Sequence, residues 1–190
     1  MNAFSPVTPA PGELEFVRGF VNTLDIESGS DRLSEPTAWH KWAREHDFDI
    51  EATAADLRFA RVLREALRAA LLANHERAPL PPQTIDALNA AAGQARLSVR
   101  FTPDGSRLVA GASGMDAVYG RIVSAVAAAM ADKTWQRLKA CMADDCRWGF
   151  YDTSRSRTGQ WCSMSICGNR AKQARWRNHA SDVTTTPVGA

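Results

Sequence analysis

Apolar residues recur every three or four positions along much of the chain, a pattern typical of amphipathic helices. The pattern predicts a first helix that begins at Leu14 and ends before Ser28, and a short second helix over Thr37–His46. A third helix is expected to begin behind Thr53, which has a capping-box partner three positions later, and to continue to about Asn74. The first part of the chain is therefore predicted to be mostly helical.

The third predicted helix carries four arginines outside its apolar stripe. They are Arg58, Arg61, Arg64 and Arg68. Acidic residues are close to them along the chain, so a solvated helix face is favoured over a binding surface.

The pattern changes twice between residues 80 and 132. A helix over Pro82–Ala92 is expected to end at Gly93, and alternation of apolar and polar residues then predicts a β-hairpin over 97–110. Ser113 is a candidate cap for a long helix that runs to about Asp132. This helix is apolar on nearly every side and is expected at the centre of the fold.

Basic residues are concentrated at one end of the chain. The whole chain of 190 residues has a net charge of +2, but residues 1–132 carry 13 Lys/Arg against 17 Asp/Glu. Residues 133–179 carry 10 Lys/Arg against 3 Asp/Glu, a net charge of +7. A mildly acidic body with a basic end suggests an anionic partner for that end.

The same end contains every cysteine of the chain. Cys141 and Cys146 form one close pair, and Cys162 and Cys167 form a second, with 15 residues between the pairs. Two close pairs separated by a spacer are what a structural four-cysteine zinc site requires. Disulfides or free thiols are the alternative. They are disfavoured because the N-terminus does not look like a secretory leader, which predicts a cytoplasmic protein and hence a reducing compartment.

The local sequence predicts how each pair is held. Residues 135–141 and 147–152 can pair as short strands around a knuckle that carries the first two cysteines. The second pair precedes a predicted helix over Gly168–His179, so Cys167 is expected at a helix N-terminus, where backbone N–H groups favour a thiolate. One structural zinc ion in a treble-clef-like finger is the prediction. Arg147 and Arg170 are close enough in sequence to offset the charge of a four-thiolate site. For Arg170, phosphate binding is an equally favoured alternative.

The block from Cys162 to Lys172 contains Cys167-Gly168-Asn169-Arg170, the signature that names the CGNR zinc-finger family, and the chain resembles that family here. The segments 150–155 and 161–162 resemble it too, and Phe20-Val21-Asn22-Thr23 is similar to the first helix of the ABATE domain that usually precedes this finger. The resemblance covers about residues 13–180. It implies zinc binding by the four cysteines, DNA binding by the finger, and a role as a bacterial transcription regulator linked to stress. One position departs from the family pattern, because Gln160 stands where the family often has a basic residue.

The expected fold class is α+β and mostly helical. It comprises an N-terminal helical domain with one β-hairpin and a small treble-clef-like four-cysteine finger. The predicted division of the chain rests on composition at its two ends and on the family resemblance between them. The parts are a flexible arm over 1–12, an ABATE-like domain over 13–132, the finger over 133–180 and a flexible tail over 181–190. No run of about 18 uncharged apolar residues occurs, so no membrane span is expected.

The finger also carries a dense set of cations. The candidate nucleic-acid-binding residues are Arg155, Arg157, Arg170, Lys172, Arg175 and Arg177. Basic residues interleaved with aromatics suit phosphates and bases, so nucleic acid is favoured over a solvated surface, with DNA and RNA both open. At about 100° per residue the helix cations fall on two faces, so no single recognition stripe is evident and contacts to phosphate are expected. For Trp148, Trp161 and Trp176, packing in the finger core is favoured over base stacking.

A ligand pocket in the N-terminal domain is a further hypothesis. Its candidate residues are Asn22, Thr23, Trp39 and Trp42, because polar groups beside aromatics can line a small-molecule site. The favoured alternative is that Asn22 and Thr23 hydrogen-bond a buried loop.

A small-molecule effector and a second copy of the chain are further candidate partners. No catalytic motif is present and a closed four-cysteine site leaves no open metal position, so no enzyme is predicted. A protein-interaction module and a ligand sensor with a purely structural finger are the alternatives to a DNA-binding regulator.

Overall fold

The computed structural model describes the backbone of residues 8–183 and the side chains of residues 8–177. Six α-helices and three antiparallel hairpins follow in chain order over this range. The helices are α1 (Leu14–Val21), α2 (Pro36–Arg44), α3 (Ala54–Ala73), α4 (Pro82–Gln94), α5 (Met115–Ala131) and α6 (Asn169–Val183). The strands are β1 (Leu24–Asp25), β2 (Ser30–Asp31), β3 (Ser98–Thr102), β4 (Gly105–Val109), β5 (Leu138–Ala140) and β6 (Gly149–Tyr151). The mostly helical α+β class is confirmed.

One apolar core joins the helices to the first strand of the finger. α3 packs against α1, α4 and β5, while α5 packs against α1 and α4. Trp39, Tyr119 and Phe20 are among the largest fully buried side chains. Leu138 and Ala140 of β5 belong to the same core, so the finger grows directly out of the helical body.

The helix boundaries follow local capping chemistry. The capping box predicted for α3 is present, since Thr53 Oγ1 accepts from the Asp56 amide at 3.2 Å and the Asp56 carboxylate accepts from the Thr53 amide at 2.8 Å. α4 does not end at Gly93 but continues to Gln94. The predicted Ser113 cap is wrong: Gly114 precedes α5 with φ 63°, a left-handed conformation that favours glycine.

The first helix is shorter than its apolar pattern indicated. α1 ends at Val21, and Leu24 lies in β1, which pairs with β2 in a small hairpin that periodicity did not indicate. The predicted flexible arm over 1–12 is anchored at its end, since Ala10 is buried and its amide donates to Glu15. Residues 1–7 lie outside the described residues. So do residues 184–190 of the predicted tail, whose first residues, 181–183, belong to α6.

Two arginines of α3 are buried, and the prediction of a solvated face is wrong for them. Arg64 pairs with the Asp31 carboxylate at 2.5 Å, and Arg68 donates to the backbone carbonyls of Val21 at 2.8 Å and Arg147 at 2.6 Å. The reason is a second layer, because the β1–β2 hairpin and the finger cover the polar side of α3. No helix in the described part of the chain is long and apolar enough to span a membrane.

Candidate metal centre and basic helix

The β5–β6 hairpin holds the first cysteine pair in a tight knuckle. The Cys141 amide donates to the Trp148 carbonyl at 2.9 Å, and the Cys146 amide donates to the Ala143 carbonyl at 3.0 Å. Arg147 then adopts φ 51°, which reverses the chain towards β6. Both thiols are buried on the inner side of the turn.

The second pair is held by a π-helical turn over Met164–Gly168. Cys162 lies just before this turn and Cys167 lies within it, two residues ahead of the first residue of α6. The helix predicted over Gly168–His179 begins one residue later, at Asn169, so Gly168 separates Cys167 from α6 within the turn that leads into the helix. A Cβ at Gly168 would lie 2.8 Å from the Met164 sulfur, so the turn packs closely here and any larger residue would displace that side chain.

The four sulfurs form a compact cluster. All four Sγ atoms lie within 4.8 Å of one another, with Cys146 and Cys162 at 3.6 Å and Cys162 and Cys167 at 3.8 Å. A tetrahedral zinc–thiolate site with Zn–S bonds of about 2.3 Å requires S–S separations of about 3.8 Å. The residues therefore fit one zinc ion, with no open position for water.

The thiols strongly influence one another's protonation. Hydrogen bonds from the Cys146 and Cys162 thiols lower the pKa of Cys141, and bonding to Cys141 raises the pKa of Cys162. Burial raises the pKa of Cys167. Four thiolates this close together repel one another. A coordinating metal cation offsets this repulsion and allows all four cysteines to ionise.

A buried ion pair fixes the loop that leads to the second cysteine pair. The Lys139 ammonium donates to the Asp152 carboxylate at 2.9 Å and to the Arg157 carbonyl at 2.7 Å, and both side chains are almost fully buried. Asp152 also accepts from the Ser154 amide and hydroxyl and from the Gly159 amide. Burial alone would raise the pKa of Asp152, but these hydrogen bonds outweigh it and lower the pKa to about 2. The loop over 153–160 is thereby tied to β5.

Polar side chains of the helical body form hydrogen bonds to the backbone of the finger. The Asn22 side chain forms a two-way pair with the Gly149 backbone, donating to the carbonyl at 3.0 Å and accepting from the amide at 2.6 Å. Asn74 donates to the Trp135 and Leu138 carbonyls at 3.0 and 2.8 Å. These contacts, with that of Arg68, hold the finger hairpin against α1 and α3.

The predicted nucleic-acid-binding residues fall into separate groups. Arg170, at the base of α6, pairs with Glu27 at 2.7 Å and with Asp145 at 3.3 Å. Further along α6, Lys172, Arg175 and Arg177 are exposed. Arg155 and Arg157 lie in the exposed loop over 153–160, between β6 and the second cysteine pair.

Arg147 and Arg170, which were predicted to offset the charge of the metal centre, both pair with carboxylates. Arg147 pairs with Asp144 and Arg170 pairs with Asp145 and Glu27, so each arginine meets carboxylates of the knuckle or body. The pair with Glu27 raises the pKa of Arg170, and attraction to Cys167 raises it further, so part of the predicted compensation is direct.

The finger tryptophans divide between core and surface. Trp148 and Trp161 pack against the cysteine cluster, as predicted. Trp176 does not, because it lies on α6 with 76% of its surface exposed. The core prediction is therefore wrong for Trp176, since nothing within the described residues packs over α6 at positions 172–177.

The hypothetical ligand residues have structural roles. Trp39 and Trp42 are packed in the core, and Trp39 Nε1 donates to the Ile50 carbonyl at 3.0 Å. Thr23 Oγ1 donates to the Phe20 carbonyl at 2.7 Å, and Asn22 holds β6. These four residues line neither the groove between α5 and β4 nor the small cavity beside His75. For Asn22 and Thr23 these hydrogen bonds are of the kind that the favoured alternative expected, and the ligand site stays a hypothesis.

The site and fold define a helical α+β protein with a four-cysteine zinc finger. Two family models match the chain, one after the other. Residues 137–180 match the CGNR zinc finger, and residues 16–133 match the ABATE family, described as "Putative stress-induced transcription regulator". The chain belongs to the ABATE family and carries a CGNR finger that holds one structural zinc ion. No curated protein matches it.

Proposed function

We propose that this chain is a cytoplasmic DNA-binding regulator of transcription in a bacterial stress response. In this proposal the four-cysteine finger binds DNA and the ABATE domain regulates or dimerises, with the domain division over 13–132 and 133–180. No catalytic role is proposed, because the two families are a regulator and a zinc finger and the cysteines close the metal site.

The observation that carries the proposal is the exposed cationic surface of the finger. Lys172, Arg175 and Arg177 are exposed on α6, a helix that carries no acidic residue before Asp182. A surface of this kind neutralises phosphates and releases counterions, which makes binding depend steeply on salt. The finger fold that presents the helix is held by the zinc site.

The test is a fluorescence-anisotropy titration of zinc-loaded protein with generic duplex DNA at two salt concentrations. We expect binding that weakens steeply as salt rises. Arg100→Ala, an exposed arginine in β3, is the control and should leave the affinity unchanged. No binding at low salt would refute the proposal and favour a protein-interaction module.

A ligand-sensing role of the helical body is the second candidate function. It is favoured by an open groove of about 880 Å³ between α5, β4 and residues 11–14, with a mostly apolar lining that includes Leu108 and Arg121. Grooves of this volume are common small-molecule sites. A thermal-shift screen with small metabolites tests it, because a ligand that binds the native state raises the melting temperature.

A further inference from the structure

The residues over 172–177 of α6 are arranged unevenly around the helix, with the cations on two sides and other groups between them. At about 100° per residue, Lys172 and Gln173 are 100° apart and Trp176 lies between them. Arg175 falls about 60° outside this sector on the Lys172 side, and Arg177 about 40° outside it on the Gln173 side. We call the sector formed by Lys172, Gln173 and Trp176 the reading face.

Residues 172–177 are exposed on every side of the helix. Each of these side chains is exposed, including Trp176 with 76% of its surface accessible. A helix that is polar all round has little stability of its own, and a helix of about 15 residues is marginal in water without packing. An exposed tryptophan on such a helix therefore indicates a missing partner.

Resting on the proposed function, we infer that α6 enters the major groove of duplex DNA and reads base edges through Lys172, Gln173 and Trp176. Charge complementarity indicates a DNA groove as the binding partner. Arg175 and Arg177 lie on opposite sides of the helix, where they can each contact one of the two phosphate backbones that border a groove. The major groove, about 12 Å wide, admits an α-helix. The deep, narrow major groove of duplex RNA does not.

The side chains of the reading face match the chemistry of that groove. Glutamine can form a bidentate pair with adenine, and lysine donates to the O6 and N7 acceptors of guanine. Trp176, at the centre of the face, supplies an apolar contact of the kind that recognises the thymine methyl group. The face thus contains both hydrogen-bonding and apolar elements of base recognition.

The first residues of α6 already bind other parts of the protein, which fixes the orientation of the helix. Asn169 begins the same face, but its side-chain amide donates to the Ser165 carbonyl at 3.1 Å. Arg170 is engaged by Glu27 and Asp145, whose carboxylates repel phosphate. Contact between α6 and DNA is therefore expected only beyond Ala171.

The test is selection of sites from a pool of randomised 20-base-pair duplexes by the zinc-loaded full chain. We expect one sequence to be enriched. Gln173→Ala and Trp176→Ala should each weaken binding to that sequence roughly 5- to 150-fold, the effect of one lost base contact, and leave binding to random duplex within about twofold. Gln94→Ala and Phe101→Ala change an exposed glutamine and an exposed aromatic ring of the body and should change neither affinity.

The outcomes separate this inference from the proposed function. If no sequence is enriched but salt-dependent binding to random duplex persists, the reading face is refuted and the proposed function stands. If Gln173→Ala and Trp176→Ala weaken binding to selected and random duplexes equally, base reading is likewise refuted. Preference for single-stranded DNA or duplex RNA over duplex DNA would also refute it. No binding to any duplex DNA would refute both.

Discussion

The buried pair of Asp152 and Lys139 gives the sharpest prediction about the stability of the finger. Asp152→Asn keeps the shape of the side chain but removes its charge. The Lys139 ammonium then stays buried without a counter-charge, and the amide NH₂ group cannot accept the bonds that one carboxylate oxygen accepted. The loop over 153–160, which leads to Cys162, loses part of its attachment to β5.

The structure sets the expected size of the effect. The lowering of the Asp152 pKa from the ordinary 3.8 to about 2 corresponds to about 2 kcal/mol of stability from the ionised group. Breaking one side of a buried ion pair typically costs 3–5 kcal/mol. We expect Asp152→Asn to lower the free energy of unfolding of the finger by about 2–5 kcal/mol. If zinc binding is coupled to finger folding, the zinc affinity falls by roughly 30- to 5,000-fold.

The assay is zinc release to a chromogenic chelator, together with guanidinium unfolding followed by tryptophan fluorescence. Asp144→Asn is a matched control, because the Asp144 side chain lies in the same finger but is 90% exposed and its pair with Arg147 is on the surface. It should change stability by less than about 1 kcal/mol. An Asp152→Asn protein with the zinc affinity and unfolding midpoint of the wild type would refute the reasoning.

The pH dependence of the same effect has a defined sign. Because folding lowers the pKa of Asp152, its contribution is complete above its ordinary pKa near 4 and is lost as the pH falls towards about 2. The stability difference between wild type and Asp152→Asn should therefore be constant from pH 8 to 5. It should shrink only below about pH 4. A difference that already shrinks between pH 7 and 5 would assign the effect to another group.

Three further changes test the metal centre and the basic helix. Cys162→Ser should abolish stoichiometric zinc binding and raise hydrogen exchange over residues 141–168 while the helical body stays protected, and an ordered, zinc-loaded variant would contradict this. Arg175→Ala should weaken binding to all duplexes and reduce the salt slope by about one, whereas an unchanged slope removes that residue from the phosphate contacts. Glu27→Gln should remove one carboxylate that repels phosphate beside α6, leave Arg170 paired with Asp145, and increase affinity for random duplex a few-fold, measured by anisotropy. Unchanged affinity would mean that the Glu27 charge does not act on bound DNA.

The sequence predicted the metal ligands because zinc chemistry is local and strict. Four cysteines in two close pairs leave few alternatives, and the structure brings Cys141, Cys146, Cys162 and Cys167 into one cluster. The knuckle strands and the capping box at Thr53 were predictable for the same reason, since the capping box joins residues three positions apart and the knuckle strands are consecutive strands of one hairpin. The family match supports this part of the interpretation independently.

The buried polar residues were not predictable from local pattern. Arg64 and Arg68 lie off the apolar stripe of α3, and periodicity shows only which side of a helix meets the first layer of the core. Their burial depends on the β1–β2 hairpin and the finger, which cover the other side. Asp152 stood inside a segment that resembles the CGNR family, but its partner Lys139 is identified only once β5 and β6 pair.

The same reasoning explains the misassignment of Trp176. Trp148, Trp161 and Trp176 have similar sequence surroundings, with basic residues close by, so composition alone assigns all three to one environment. The knuckle folds back over Trp148 and Trp161, whereas no part of the described chain returns to cover α6 beyond Ala171. The exposure of Trp176 depends on the path of the chain, which local sequence does not show. The residue that the sequence placed in the finger core is therefore a candidate contact residue.

The strand β5 determines how far the loss of zinc spreads through the fold. Leu138 and Ala140 are buried in the core of the helical body, and Asn74 holds the Leu138 carbonyl, so this strand keeps most of its contacts without metal. Beyond Cys141, the knuckle and the second cysteine pair pack mainly on one another and on the tryptophans around them. Zinc therefore stabilises the part of the chain that orients α6, while the body retains its own core. Metal loss should remove the basic helix from its position without unfolding the ABATE domain.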